Sequence, residues 1–173
     1  NSILSKNTII DSSDAYVRGI INDNGGAMSN TLYGNYVNIY TTQYNMQAYG
    51  IRAHNSSLIR DTLILYGSGH DASTRGIQAS GSIINECYID YNDPNAGANL
   101  WGIAIECHSN DTSFITNNTI VAKKYTTAIQ CSNCMLTANS ITGSDVESEA
   151  IEVSGDFAVL QDNIITDYNN DGI

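Results

Sequence analysis

The chain has 173 residues, with 18 acidic against 7 basic side chains and a formal charge of −11. That balance excludes nucleic acid as a partner, because phosphate contact needs clustered Lys and Arg. A single proline and the lack of any apolar run long enough for a bilayer predict one sheet-rich domain with a narrow core and no membrane insertion.

Taken in chain order, two short apolar signals alternate. The first is L-x-x-N-x-I, beginning at Leu4, Asn7 and Ile9. The second is Gly-Ile, first met at Gly19-Ile20. Leu32, Asn35 and Val37 repeat the first signal, and Gly50-Ile51 the second. A degenerate copy runs from Ile59 to Ile64, with Thr62 at the Asn position. Gly76-Ile77 follows, then a second degenerate copy from Ile84 to Ile89 with Cys87 at the Asn position. Gly102-Ile103, the copy centred on Asn118, Ala128-Ile129, the copy centred on Asn139, Ala150-Ile151, the copy centred on Asn163 and Gly172-Ile173 complete the series. Strict alternation at a period of roughly 22–31 residues specifies stacked coils.

The Asn of each copy sits between two apolar residues that both point inward. Asn tolerates a left-handed corner and bonds neighbouring backbone groups. A ladder of Asn7, Asn35, Thr62, Cys87, Asn118, Asn139 and Asn163 is therefore predicted. Period-2 alternation after each Gly or Ala sends Ile51/Ala53, Ile77/Ala79, Ile103/Ile105, Ile129/Cys131 and Ile151/Val153 inward. The expected fold is all-β, a single-stranded right-handed parallel β-helix of about seven coils. Residues 1–173 form one such segment. Both ends fall mid-coil, which leads us to expect a piece of a longer chain or assembly.

These repeats resemble the right-handed parallel β-helix coils of the pectin-lyase-like superfamily, over essentially the whole chain. The resemblance implies that the Gly-Ile strand lies on the first sheet, with the residues before and after the ladder on the second and third. It implies no single activity, since the superfamily holds lyases, hydrolases, phage tailspikes and non-catalytic surface proteins. Its catalytic Asp clusters and Arg or Lys motifs are not found here, so no catalytic residue is assigned. Active sites of this architecture occupy the outer face of the first sheet. There the sequence places Tyr49, Arg52, His54, Arg75, Gln78, Trp101 and Glu106. Aromatic faces stack on sugar CH groups while polar arms meet hydroxyls or carboxylates. Tyr49, Arg52, Arg75, Gln78 and Trp101 are expected to meet solvent in one strip.

Four cysteines are present. Cys131 is expected to be a core thiol. Cys107 and Cys134 fall just past the Gly/Ala-Ile strands of successive coils, so a disulfide between them is expected; it would suit an extracellular setting. Cys131-x-x-Cys134 lacks the context of a redox or zinc motif. Asp167 to Gly172 imitates the start of a calcium loop, but Ile173 follows in coil register instead. No cofactor is required. The acidic run Asp145, Glu147, Glu149, Glu152 and Asp156 is compatible with calcium, although most such runs are only solvated.

The leading expectation is a non-catalytic segment of an extracellular, cell-surface or virion-surface protein that contacts a polysaccharide or surface glycan. The first alternative is a polysaccharide lyase or glycosidase completed outside the segment. The second is a filament subunit stacking end to end, or associating with other copies as a trimer.

Overall fold

In a computed structural model, the described residues are 2–13, 17–22, 30–41, 48–67, 74–92, 102–108, 111–123, 126–146 and 149–168. All regular structure among them is β. The first rung has β1 (Ile3–Ser5) and β2 (Thr8–Ser13). The second has β3 (Arg18–Asn22), β4 (Asn30–Tyr33) and β5 (Tyr36–Thr41), and the third β6 (Ala48–His54), β7 (Ser56–Ile59) and β8 (Thr62–Gly67). The fourth comprises β9 (Thr74–Ser80), β10 (Ile83–Asn85) and β11 (Tyr88–Asn92). The fifth comprises β12 (Gly102–Cys107), β13 (Ser113–Thr116) and β14 (Thr119–Lys123). In the last two rungs the first two strands fuse, giving β15 (Thr126–Thr137) with β16 (Ser140–Val146), and β17 (Ile151–Gln161) with β18 (Ile164–Tyr168).

Every strand pairs in parallel with its equivalent one rung away, as the third sheet shows in the order β18-β16-β14-β11-β8-β5-β2. The fold is a parallel β-solenoid, as expected, with about five turns between its two end rungs rather than seven full coils. Among the described residues, the first and last rungs are each paired on one side. A single column of Leu, Ile, Val and Ala side chains fills the tube, among them Leu32, Ile51, Leu58, Leu63, Ile77, Ile105 and Ile129.

The ladder corners stack in one column with one correction. Tyr36 and Tyr88 both pair with Thr62, so the residue level with Asn35 and Cys87 is Asp61, not Thr62. The third copy begins at Leu58, which is buried, rather than at Ile59, whose exposure is intermediate. The turn itself is made by the residue before the ladder. Lys6, Gly34, Arg60, Glu86, Asn117, Ala138 and Asp162 all have φ between 55° and 62°. The ladder side chain therefore serves hydrogen bonding alone. Asn7 donates Nδ2 to Asn35 Oδ1 (2.9 Å), and Asn35 to Asp61 Oδ1 (2.8 Å). Asn118 donates to Asn139 (3.0 Å) and Asn139 to Asn163 (2.9 Å). Asn35, Asn118, Asn139 and Asn163 also reach back to a carbonyl of the previous rung, as Asn139 does to Ile115 (2.9 Å), while Asn7 of the first rung donates to Ser5.

The Gly/Ala-Ile signal is a kink. Strand pairing on the first sheet skips Gly19, Gly50, Gly76 and Ala104, and resumes at the following Ile. At these kinks alternation fails, and Gly50 and Ile51 both face the interior. A Cβ on Gly50 would meet Leu63 and the Gly76 carbonyl at 2.7 Å. In the fifth rung the kink is Ala104-Ile105, two residues later than Gly102-Ile103, because Ile105 pairs with Ile77 and Ile129. Ile103 pairs with Arg75 instead, so the inward pair of this rung is Ile105 and Cys107.

That shift corrects the cysteines. Cys107 pairs with Cys131 in the next rung, while Cys134 pairs with Ser113. The disulfide joins Cys131 to Cys134 across the corner at Asn133, with Cα atoms 6.4 Å apart. Cys131 is inward as expected but bridged, and Cys107 is a buried free thiol, like Cys87.

Candidate functional site

The strand alternation that buries Ile51 and Ala53 turns Arg52 outward, and the parallel register repeats this on each rung. One outer column of the first sheet runs Ile21, Arg52, Gln78, Glu106, Gln130 and Glu152. A second runs Arg18, Tyr49, Arg75, Ile103 and Thr127. His54 pairs with Ser80 in a third. Of the seven first-sheet candidates, six (Tyr49, Arg52, His54, Arg75, Gln78 and Glu106) thus lie on adjacent columns of one face. Trp101 lies outside the described residues.

The centre of this face is Glu106. It faces outward yet is only 5% exposed. A buried carboxylate needs charge and hydrogen bonds to offset its lost hydration. Arg75 Nε donates to its Oε2, and Gln78 Nε2 donates to the same oxygen at 2.6 Å. His108 Nε2 stands 3.7 Å from Oε1, within ion-pair range when the imidazole is protonated. His108 also lies 3.2 Å from Gln130 Oε1, and Gln130 Nε2 donates to Glu152 Oε2 at 2.6 Å. Arg75, Gln78 and Glu106 form one hydrogen-bonded group and His108, Gln130 and Glu152 another, and the His108–Glu106 approach joins them into one polar network over four rungs. The sequence candidates do not include Gln130 and His108, although the alternation that turns Glu106 outward does the same for Gln130, its partner in the register.

Tyr49 departs from expectation. It faces outward but is 6% exposed, with the Arg52 guanidinium 5.8 Å from its ring centroid. It is packing for Arg52 rather than an open aromatic platform. Glu106 and Glu152 share a column. Two rungs separate them, about 10 Å at the strand spacing. Among the described residues, no group of three His, Cys, Asp or Glu side chains is placed to hold a metal ion.

No family model matches the chain, and no curated protein or solved structure matches it.

Proposed function

We infer that the chain is a non-catalytic, pectin-lyase-like β-solenoid segment of an extracellular or virion-surface protein, which contacts an acidic glycan or partner through the outer face of its first sheet. The network centred on Glu106 carries this reading. It sets six polar side chains on four successive rungs, most of them held by a neighbour, so the face is organised before a ligand arrives. Pre-organised donors cost less entropy on binding. Arg52, beside the network in the same outer column and set over the Tyr49 ring, gives the face a guanidinium of the kind a uronate carboxylate pairs with. Glu106, in turn, is bound to Arg75 and Gln78 through the same oxygen, which suits an anchor better than a proton-transfer group. The Glu106–Glu152 spacing falls at the wide limit for an inverting glycosidase pair.

The test is calorimetry with an oligogalacturonate hexamer, beside a reducing-end assay for cleavage. Binding without cleavage, weakened about tenfold or more by Arg52→Ala, is expected. Cleavage that disappears in Glu106→Gln would replace this reading with the hydrolase one.

A further inference from the structure

The third sheet carries a face of different character. In β5, β8 and β11, the residues between the core positions Val37/Ile39, Leu63/Leu65 and Ile89/Tyr91 turn outward. Register makes one column of Tyr36, Thr62, Tyr88 and Thr119, and another of Tyr40, Tyr66, Asn92 and Lys123. Between them run Asn38, Ile64, Asp90 and Val121. Tyr36, Tyr40 and Tyr88 are 36%, 43% and 37% exposed, high values for the largest side chains of a sheet. Tyr40 and Tyr66 stack on each other, with centroids 4.8 Å apart and planes 14° from parallel. Such stacking fixes both rings before any ligand binds.

The charge on this face cancels. Lys123 pairs with Asp90 at 3.4 Å. The described residues of these columns carry no other charge, on a chain whose net charge is −11. Tyrosine rings interleaved with Thr hydroxyls and Asn amides match a ligand that has apolar CH faces and many hydroxyls but no charge. An acidic ligand would find no free cation here.

We propose that the outer face of the third sheet, centred on Thr62 between Tyr36 and Tyr88, is a second binding site, specific for a neutral polysaccharide chain. Tyr36 and Tyr88 stand two rungs apart, about 10 Å, the length of about two sugar rings. A chain lying along the solenoid axis meets both rings in turn, with the Thr62 hydroxyl between them. The stacked Tyr40–Tyr66 pair borders the track on its other side. This site is independent of the first-sheet network, which lies on a different face.

The test is calorimetric titration of the 173-residue chain with hexamers of β-1,4-glucan, β-1,3-glucan, β-1,4-mannan and α-1,4-glucan, with the oligogalacturonate hexamer as the charged arm. At least one neutral hexamer should bind, and Tyr36→Ala and Tyr88→Ala should each weaken it about tenfold without moving the melting temperature. Gln78→Ala should leave that binding unchanged. Tyr40→Ala, on the opposite border, should have the smaller effect. Failure of all four neutral hexamers to bind overturns the proposal, as does neutral binding that survives Tyr36→Ala/Tyr88→Ala. Neutral binding lost in Gln78→Ala would assign the ligand to the first sheet and also overturn it. Loss of oligogalacturonate binding alone bears only on the first-sheet reading.

Discussion

Asp61 is the residue whose chemistry is most at odds with its place. It is fully buried in a column of amides. Its Oδ1 accepts from the N–H and Nδ2 of Asn35, both at 2.8 Å, as an Asn would. Its Oδ2 has no hydrogen-bond partner. By the ladder's repeat, Oδ2 takes the place of the amide nitrogen that other members point at a carbonyl of the previous rung. Burial raises the carboxyl above its ordinary value, against the opposing bonds from Asn35. A proton on Oδ2 would restore the missing donor. An acid whose pKa is raised on folding contributes stability below its unfolded pKa and loses it as pH rises through the folded value. Wild-type stability should therefore fall from acid toward neutral pH by this group. Asp61→Asn should remove that slope and gain about 1–3 kcal/mol at neutral pH, read by denaturant melts across pH. A variant no more stable than wild type would mean that the ladder tolerates the carboxylate. The thiols offer a second check. Burial pushes Cys87 and Cys107 each up to about 12. At pH 8 neither should react with a thiol reagent in the native protein, whereas both should react once it is unfolded. Prompt labelling in the native state would contradict their burial.

At the level of the strand and its corner, residue size is matched between sheets. One third-sheet column reads Ile39, Leu65, Tyr91, Ala122 and Gly143 from rung to rung. Tyr91 is fully buried, and a Cβ on Gly102 would enter its ring. Gly143 likewise makes room for Tyr168. Gly102→Ala should thus cost about 1–3 kcal/mol. Tyr91→Leu, which copies the preceding rung, should recover much of that loss in the double variant. Strict additivity of the two would disprove the contact. The same packing explains what sequence could and could not reveal. The Asn corners were legible because one amide satisfies four bonding sites per rung, which few side chains can imitate. Asp61 was missed because Leu58-Ile59 and Leu63-Ile64 each offer two apolar residues, and a one-residue slip exchanges inside for outside. Gly102 imitated the kink for a different reason, as clearance for Tyr91. That decoy moved Cys107 off the inward column and created the expected bridge to Cys134. A second small-residue column at the other corner, Asn30, Ser56, Ser82, Ser113 and Cys134, stands five residues before each ladder residue, but its mixture of Asn, Ser and Cys hid the repeat.

For the molecule as a whole, each rung touches only its neighbours, so stability is a sum of rung and interface terms. Both candidate faces follow from this arrangement: outward residues are free of the core's demands, and register alone assembles them into columns. The first-sheet face was legible from alternation and from its charged side chains; the tyrosine face is as regular, since Tyr36, Thr62, Tyr88 and Thr119 each follow a ladder residue, but no charged group singled it out. The ends of the stack bury least. β1 is exposed throughout, and Ile10 of β2 and Ile164 of β18 are 71% and 63% exposed, while every residue of β12 is buried. Opening an end rung breaks one interface, and opening a central rung breaks two. In hydrogen exchange of the 173-residue chain, amides of β1, β2 and β18 should exchange first and those of β9, β12 and β15 last, with a graded series between. The gradient should also depend on pH in one place. Asp61 bonds the corner between β4 and β5, so its ionisation weakens the interface between the second and third rungs. After correction for the intrinsic rate, raising pH should speed exchange in β5 and β8 more than in β14 and β15, and Asp61→Asn should abolish that difference. Uniform exchange along the solenoid would instead mean that the rungs unfold as a single cooperative unit.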